Sequence, residues 1–172
     1  FLLSFFCSSL TFAAKLAVQD FGQLPDVSHL VLSPSGTKLA STVRVSVGET
    51  QGVAVQVTDL STKKNKMVLF TDNSKFFFKW IGWKDDTTLM VSTFTPAERD
   101  TWVGMGLVRF KTRDHDLLLI DTESEKITQP ITKNFLKRYK ITPSVRDWVV
   151  DSLYDDPEHI LMAFPGVDAG FI

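Results

Sequence analysis

Few side chains in this sequence have the type and spacing to do chemistry. His115 lies in Arg113-Asp114-His115-Asp116, where a neighbouring carboxylate could orient an imidazole as a general base. A base needs a nucleophile, and the strained Gly-x-Ser-x-Gly turn that presents a catalytic serine does not occur. Gly104 and Gly106 bracket Met105, and no serine lies between Gly166 and Gly170. His29 leads an apolar run, His159 sits in a turn, and the charged run 111–116 reads as a solvated part of a long hairpin. No catalytic residue is therefore assigned within this span. The pairs Asp72-Asn73, Asp85-Asp86 and Asp155-Asp156 are oxygen-rich, yet none has calcium-loop spacing, and turn chemistry alone accounts for them. Cys7 is the only cysteine, which excludes a disulfide framework and a thiolate metal site. Neither a metal nor a cofactor is expected.

One stretch remains. Residues 95–106 interrupt two apolar runs and carry Arg99 and Trp102, with Arg109 just beyond. They offer two cations and a large aromatic in a long connection, where binding groups accumulate. A hairpin that packs on a neighbouring blade or a partner subunit is the plainer reading of the same residues.

The elements that position these residues are hairpins. Leu32-Ser33-Pro34-Ser35-Gly36-Thr37-Lys38-Leu39-Ala40 joins two apolar runs through a turn in which Pro34 presets φ and Gly36 tolerates positive φ. The pattern returns around Gly82 and Leu89, and again around Ser152 and Ile160. A second pattern alternates with it: residues 53–63 resemble 117–126, each a strand ending in Asp followed by a polar turn. Two alternating hairpins make a four-stranded unit, and its recurrence predicts an all-β chain, a partial β-propeller of about two and a half four-stranded blades. Blade one is expected at 29–70, blade two at 76–131 and the start of blade three at 146–172. Residues 15–28 read as a linker into the propeller. So few blades cannot close a ring, so the chain is expected to be part of a longer protein.

Residues 1–14 are apolar and end in small residues, as in the core and cleavage site of a secretory signal peptide. A signal peptide remnant at 1–14 implies a periplasmic or secreted protein, free of the membrane once the signal is cleaved. The 172 residues carry 19 basic and 20 acidic groups, for a net charge of −1, which gives no polybasic face for nucleic acid. Fourteen phenylalanines and four tryptophans suit the filling of wedges between twisted sheets.

The segment Asp20-Phe21-Gly22-Gln23-Leu24-Pro25-Asp26-Val27-Ser28, followed by Leu32-Ser33-Pro34-Ser35-Gly36, resembles the start of bacterial serine peptidases of the prolyl oligopeptidase family. Acylaminoacyl-peptidases and dipeptidyl aminopeptidases are the nearest in pattern, with Ser35 standing where that family usually has Asp. The resemblance spans roughly residues 18–166. It implies a propeller that gates a following α/β-hydrolase domain, absent from this chain, and short peptides as substrates of the full-length protein. Arg99 and Arg109 would then be candidates to meet a peptide carboxylate, and Trp102 to pack on an apolar side chain. A homo-oligomer is compatible with this reading. The competing expectation is a non-enzymatic exported propeller that serves as a scaffold for protein interaction.

Overall fold

The computed structural model describes residues 26–140 and 144–165. The expected signal peptide at 1–14, most of the linker and the last residues of the third unit lie outside this span. Strands dominate. β1 (Val27–Leu32), β2 (Lys38–Val47), β3 (Thr50–Asp59) and β4 (Asn65–Thr71) form one antiparallel sheet in sequence order. β5 (Phe77–Trp83), β6 (Thr88–Val103), β7 (Gly106–Asp121) and β8 (Ile127–Thr128) repeat that meander. These are the successive up-and-down four-stranded units of which β-propellers are made. A third unit begins with β10 (Val149–Asp151) paired to β11 (Leu161–Met162).

The turns show why the sequence repeats. In the first hairpin the Ser33 amide donates to Lys38 O (2.8 Å) and Gly36, at φ 71°, donates to Ser33 O (2.8 Å). In the second, the Lys84 amide donates to Thr88 O (2.9 Å). The alternate pattern is equally repeated. Lys38 pairs with Asp59 as Thr88 pairs with Asp121, and the next amides, Leu60 and Thr122, donate to Thr37 O (2.9 Å) and Thr87 O (2.8 Å). Asp59 and Asp121 each then cap the following turn by accepting from two backbone amides.

The two sheets share one core. Ala40, Val55 and Val57 of the first sheet pack with Ile81, Trp83, Leu89, Val91 and Ile120 of the second. Trp83 crosses the boundary and donates its indole N–H to Val31 O (3.1 Å). The Ser35 amide donates to Asp86 Oδ1 (2.9 Å), so adjacent turns are tied as well.

Four features differ from the expected layout. β3 starts at Thr50, three residues before its expected start, because the turn after β2 is only Gly48-Glu49. Gly52 is therefore a strand residue; a Cβ there would lie 2.2 Å from Thr71 O, so the close approach of β4 demands glycine. A helix, α1 (Lys133–Tyr139), follows β8, capped by Thr132, whose hydroxyl accepts from the Phe135 amide (3.2 Å). β9 (Val145–Arg146) pairs in parallel with β7, so Arg146 belongs to the second sheet and ladder pairing in the third unit starts at Val149. Finally, residues 95–106 are no loop: β6 and β7 run sixteen residues each to a two-residue turn at Gly104-Met105. Among the described residues no helix is long and apolar enough to cross a membrane.

Candidate functional site

Where β9 meets β7, three polar side chains from distant parts of the chain converge on Asp147, which is 2% exposed. Lys79 of β5 donates to Asp147 Oδ2 (2.8 Å), and Ser92 of β6 donates to the same oxygen (2.7 Å). His115 of β7 brings Nδ1 to 3.6 Å, too far for a hydrogen bond, and that buried nitrogen has no partner among the described residues. Arg146, next in sequence to Asp147, donates to Asp116 (2.7 Å) and to His115 O (3.3 Å). Burial pushes the Asp147 carboxyl up, but the Lys79 and Ser92 hydrogen bonds and the Lys79 charge outweigh it and hold the group below the ordinary carboxylate range.

A serine, a histidine and an aspartate thus meet, in the wrong order for nucleophilic catalysis. A triad sets the imidazole between hydroxyl and carboxylate so that the base can take the serine proton. Here the carboxylate is in the middle and Ser92 donates to it. The cluster fastens β9 and the residues after it to the second sheet. Beside it, an open cleft of about 730 Å³ is walled by Trp80, Met90, Trp148 and Tyr154, with Lys79 and Asp147 at one side.

The residues picked out by sequence lie elsewhere, on the outer hairpin. From Thr95↔Asp114 to Val103↔Gly106, β6 and β7 pair only with each other. At about 3.4 Å per residue, these nine pairs project some 30 Å as a two-stranded ribbon. Opposed residues share a face, so Trp102, Leu107, Asp100, Arg109, Glu98 and Lys111 lie on one side, and Thr101, Val108, Arg99 and Phe110 on the other. Trp102 is 73% exposed at the tip. Neither arginine is open. Arg109 grips Asp100 through Nε (2.8 Å) and Nη2 (3.2 Å), and Arg99 is bonded to Asp114 and Thr112. Both guanidinium groups are spent on carboxylates of their own ribbon.

The cation that sequence reasoning passed over is Arg113. Its guanidinium lies 4.8 Å from the centroid of the Phe94 ring and, among the described residues, forms no ion pair. Phe94 in turn stacks on Phe77, with centroids 5.0 Å apart and planes 12° from parallel. The alternation Phe94, Pro96 and Lys111, Arg113, His115 was the available signal, since period two puts all five on one face.

The His159 Nδ1 pairs with Asp156 (2.8 Å) in its own turn. His29, at φ 51° in a bulge of β1, bonds Thr42 Oγ1 (3.0 Å). Asp72, Asp85 and Asp156 each cap their own turns through backbone amides.

Fold and surroundings define a class: an all-β chain of propeller blades bearing a projecting ribbon. Compared with known proteins, it matches no family model, and no curated protein matches it. Among solved structures it is similar to an acylaminoacyl peptidase in complex with Z-Gly-Gly-Phe-chloromethyl ketone, at 25% identity over 62% of this chain, with a TM-score of 0.42. It is also similar to Pyrococcus horikoshii acylaminoacyl peptidase, at 24% identity over 64% of this chain, again with a TM-score of 0.42. The chain spans 18% and 19% of the length of those two proteins.

Proposed function

We propose that this chain is the N-terminal propeller portion of an exported serine-type peptidase, and that its work is to gate the access of short peptides to a hydrolase domain carried further along the same protein. The observation that carries the reading is the first hairpin. The Leu32-Ser33-Pro34-Ser35-Gly36 turn of the resembled family opens a four-stranded blade here, and the blade is followed by a second of the same order. The chemistry would come from elsewhere. In the one place where Ser, His and Asp meet among the described residues, Ser92 is bonded to the carboxylate and not to the imidazole.

A fluorophosphonate probe, which captures activated serines, tests this. The full-length gene product is expected to label and the 172-residue chain to stay unlabelled. A folded full-length product that does not label removes the peptidase reading in favour of a scaffold. Labelling of the 172-residue chain at Ser92 would overturn the assignment of the Asp147 cluster to structure.

A further inference from the structure

We propose that the groove at the base of the ribbon, between the stacked Phe77 and Phe94 rings and the Lys111 and Arg113 side chains, is a carboxylate-binding site for the apolar C-terminal end of a short peptide. The groove measures about 720 Å³ and is lined by Phe77, Phe94, Pro96, Lys111, Arg113 and His115, with Thr112 at its edge and no acidic residue among them.

Two cations without carboxylate partners among the described residues meet in it. Among the described residues, Lys38, Lys66, Lys79, Arg99, Arg109 and Arg146 are each paired with a carboxylate, and Lys84 is bound to two backbone carbonyls. Arg113 and Lys111 have no such partner, and they flank the same apolar floor. The carboxylates nearest in sequence are committed: Asp114 to Arg99, and Asp116 to Arg146 and Gln129. Glu98, directly across from Lys111, is 3.9 Å from Arg109.

Arg113 is also preorganised. Lying on Phe94, its planar group is held in place while its N–H donors stay open, the arrangement that suits a bidentate carboxylate. The ligand's apolar side chain would cover the exposed part of the Phe77–Phe94 stack and Pro96. A bare anion would leave that surface wet, which is why the site fits a carboxylate carried on an apolar residue.

That the carboxylate belongs to a peptide rests on the peptidase reading; the pairing of cations with aromatic floor does not. Titration of the full-length protein by NMR with N-acetylphenylalanine and with N-acetylphenylalaninamide separates the charge from the side chain. The acid is expected to bind about tenfold more tightly than the amide, the scale of one charge-assisted contact at a partly exposed site. Arg113→Gln should reduce the acid to the affinity of the amide, Arg113→Lys should restore part of the difference, and Phe94→Leu should weaken both ligands. Among the described residues the Arg113 side chain makes no hydrogen bond, so Arg113→Gln is expected to keep the native circular dichroism. Equal binding of acid and amide, an unaffected Arg113→Gln variant, or equal competition by inorganic phosphate would each overturn the proposal. Fluorophosphonate labelling is independent of these results, so acid-selective binding in an unlabelled protein would retain the groove and reject only the peptidase.

Discussion

The polar residue with most at stake is Asp147. It is buried, accepts two hydrogen bonds on one oxygen, and joins side chains 55 and 68 residues away. Removing it leaves the Ser92 hydroxyl buried without an acceptor and Lys79 without its counter-charge. Asp147→Ala should therefore lower unfolding free energy by about 3 kcal/mol, near the lower end for a broken buried pair because Lys79 keeps 42% of its side chain in solvent. Urea unfolding measures it, and a loss under about 1 kcal/mol would show that the cluster is not a fastening. The pH dependence follows from the lowered folded-state carboxyl. An acid whose folded pKa is depressed contributes stability above its unfolded pKa, near 3.9, and that contribution is lost as pH falls through the folded value. Wild-type stability should fall between about pH 5 and the folded pKa more steeply than that of Asp147→Asn. Parallel curves would remove Asp147 from the account. Asp59, held at about 2 by the Ser61 hydroxyl and the Thr62 and Ser61 amides, titrates in the same direction but sits half-exposed in its turn. None of this convergence was readable in sequence, where Asp147 follows Arg146 with nothing to mark its partners.

Among the elements, the ribbon and the blade it grows from should respond differently to truncation. Leu117, 1% exposed, sits where β7 is flanked by other strands; Trp102, at the tip, is 73% exposed and pairs across to Leu107. Leu117→Ala is expected to cost about 2–5 kcal/mol, whereas Trp102→Ala should stay within about 0.5 kcal/mol of wild type. Urea midpoints for the two variants decide it, and a large loss at Trp102 would mean that the tip packs against the body of the protein. The hairpins were legible because turn chemistry is local: Pro34, Gly36, Asp59 and Asp121 act within a few residues of themselves. The ribbon was not. Pro96 and the polar run Glu98-Arg99-Asp100 read as a break, but beyond Phe94 strand β6 has a partner on one side only, where a proline is tolerated and both faces meet water. β9 was invisible for the opposite reason. Two residues pairing in parallel across 30 positions leave no periodic trace. α1 lacks an acidic first turn, so Thr132 was its only start signal.

Across the whole molecule, the two blades behave as one body only if their shared core holds, and Trp83 is the residue that tests this. It belongs to β5, is 4% exposed, and spends its indole N–H on Val31 O of the other sheet. Its neighbours in the core come from both sheets: Ala40, Val55 and Val57 on one side, Leu89, Val91 and Ile120 on the other. A propeller blade buries its faces against adjacent blades, so neither sheet has a complete core of its own. Trp83→Ala would open a cavity at that boundary and orphan a carbonyl, at a cost of about 3–5 kcal/mol. The cost should be felt beyond the sheet that carries the substitution. In hydrogen-exchange mass spectrometry, peptides covering β2 and β3 should lose protection by as much as those covering β6 and β7, because opening either sheet exposes the same core. The turns reinforce the expectation, since Asp86 of the second blade accepts from the Ser35 amide of the first, and Lys84 of the second donates to Leu153 O of the third unit. Protection lost only from β5, β6 and β7 would show two sheets that touch without sharing stability. Loss spread equally through both makes the inter-blade boundary the unit of folding, and a ribbon that contributes nothing to that unit is left free to bind.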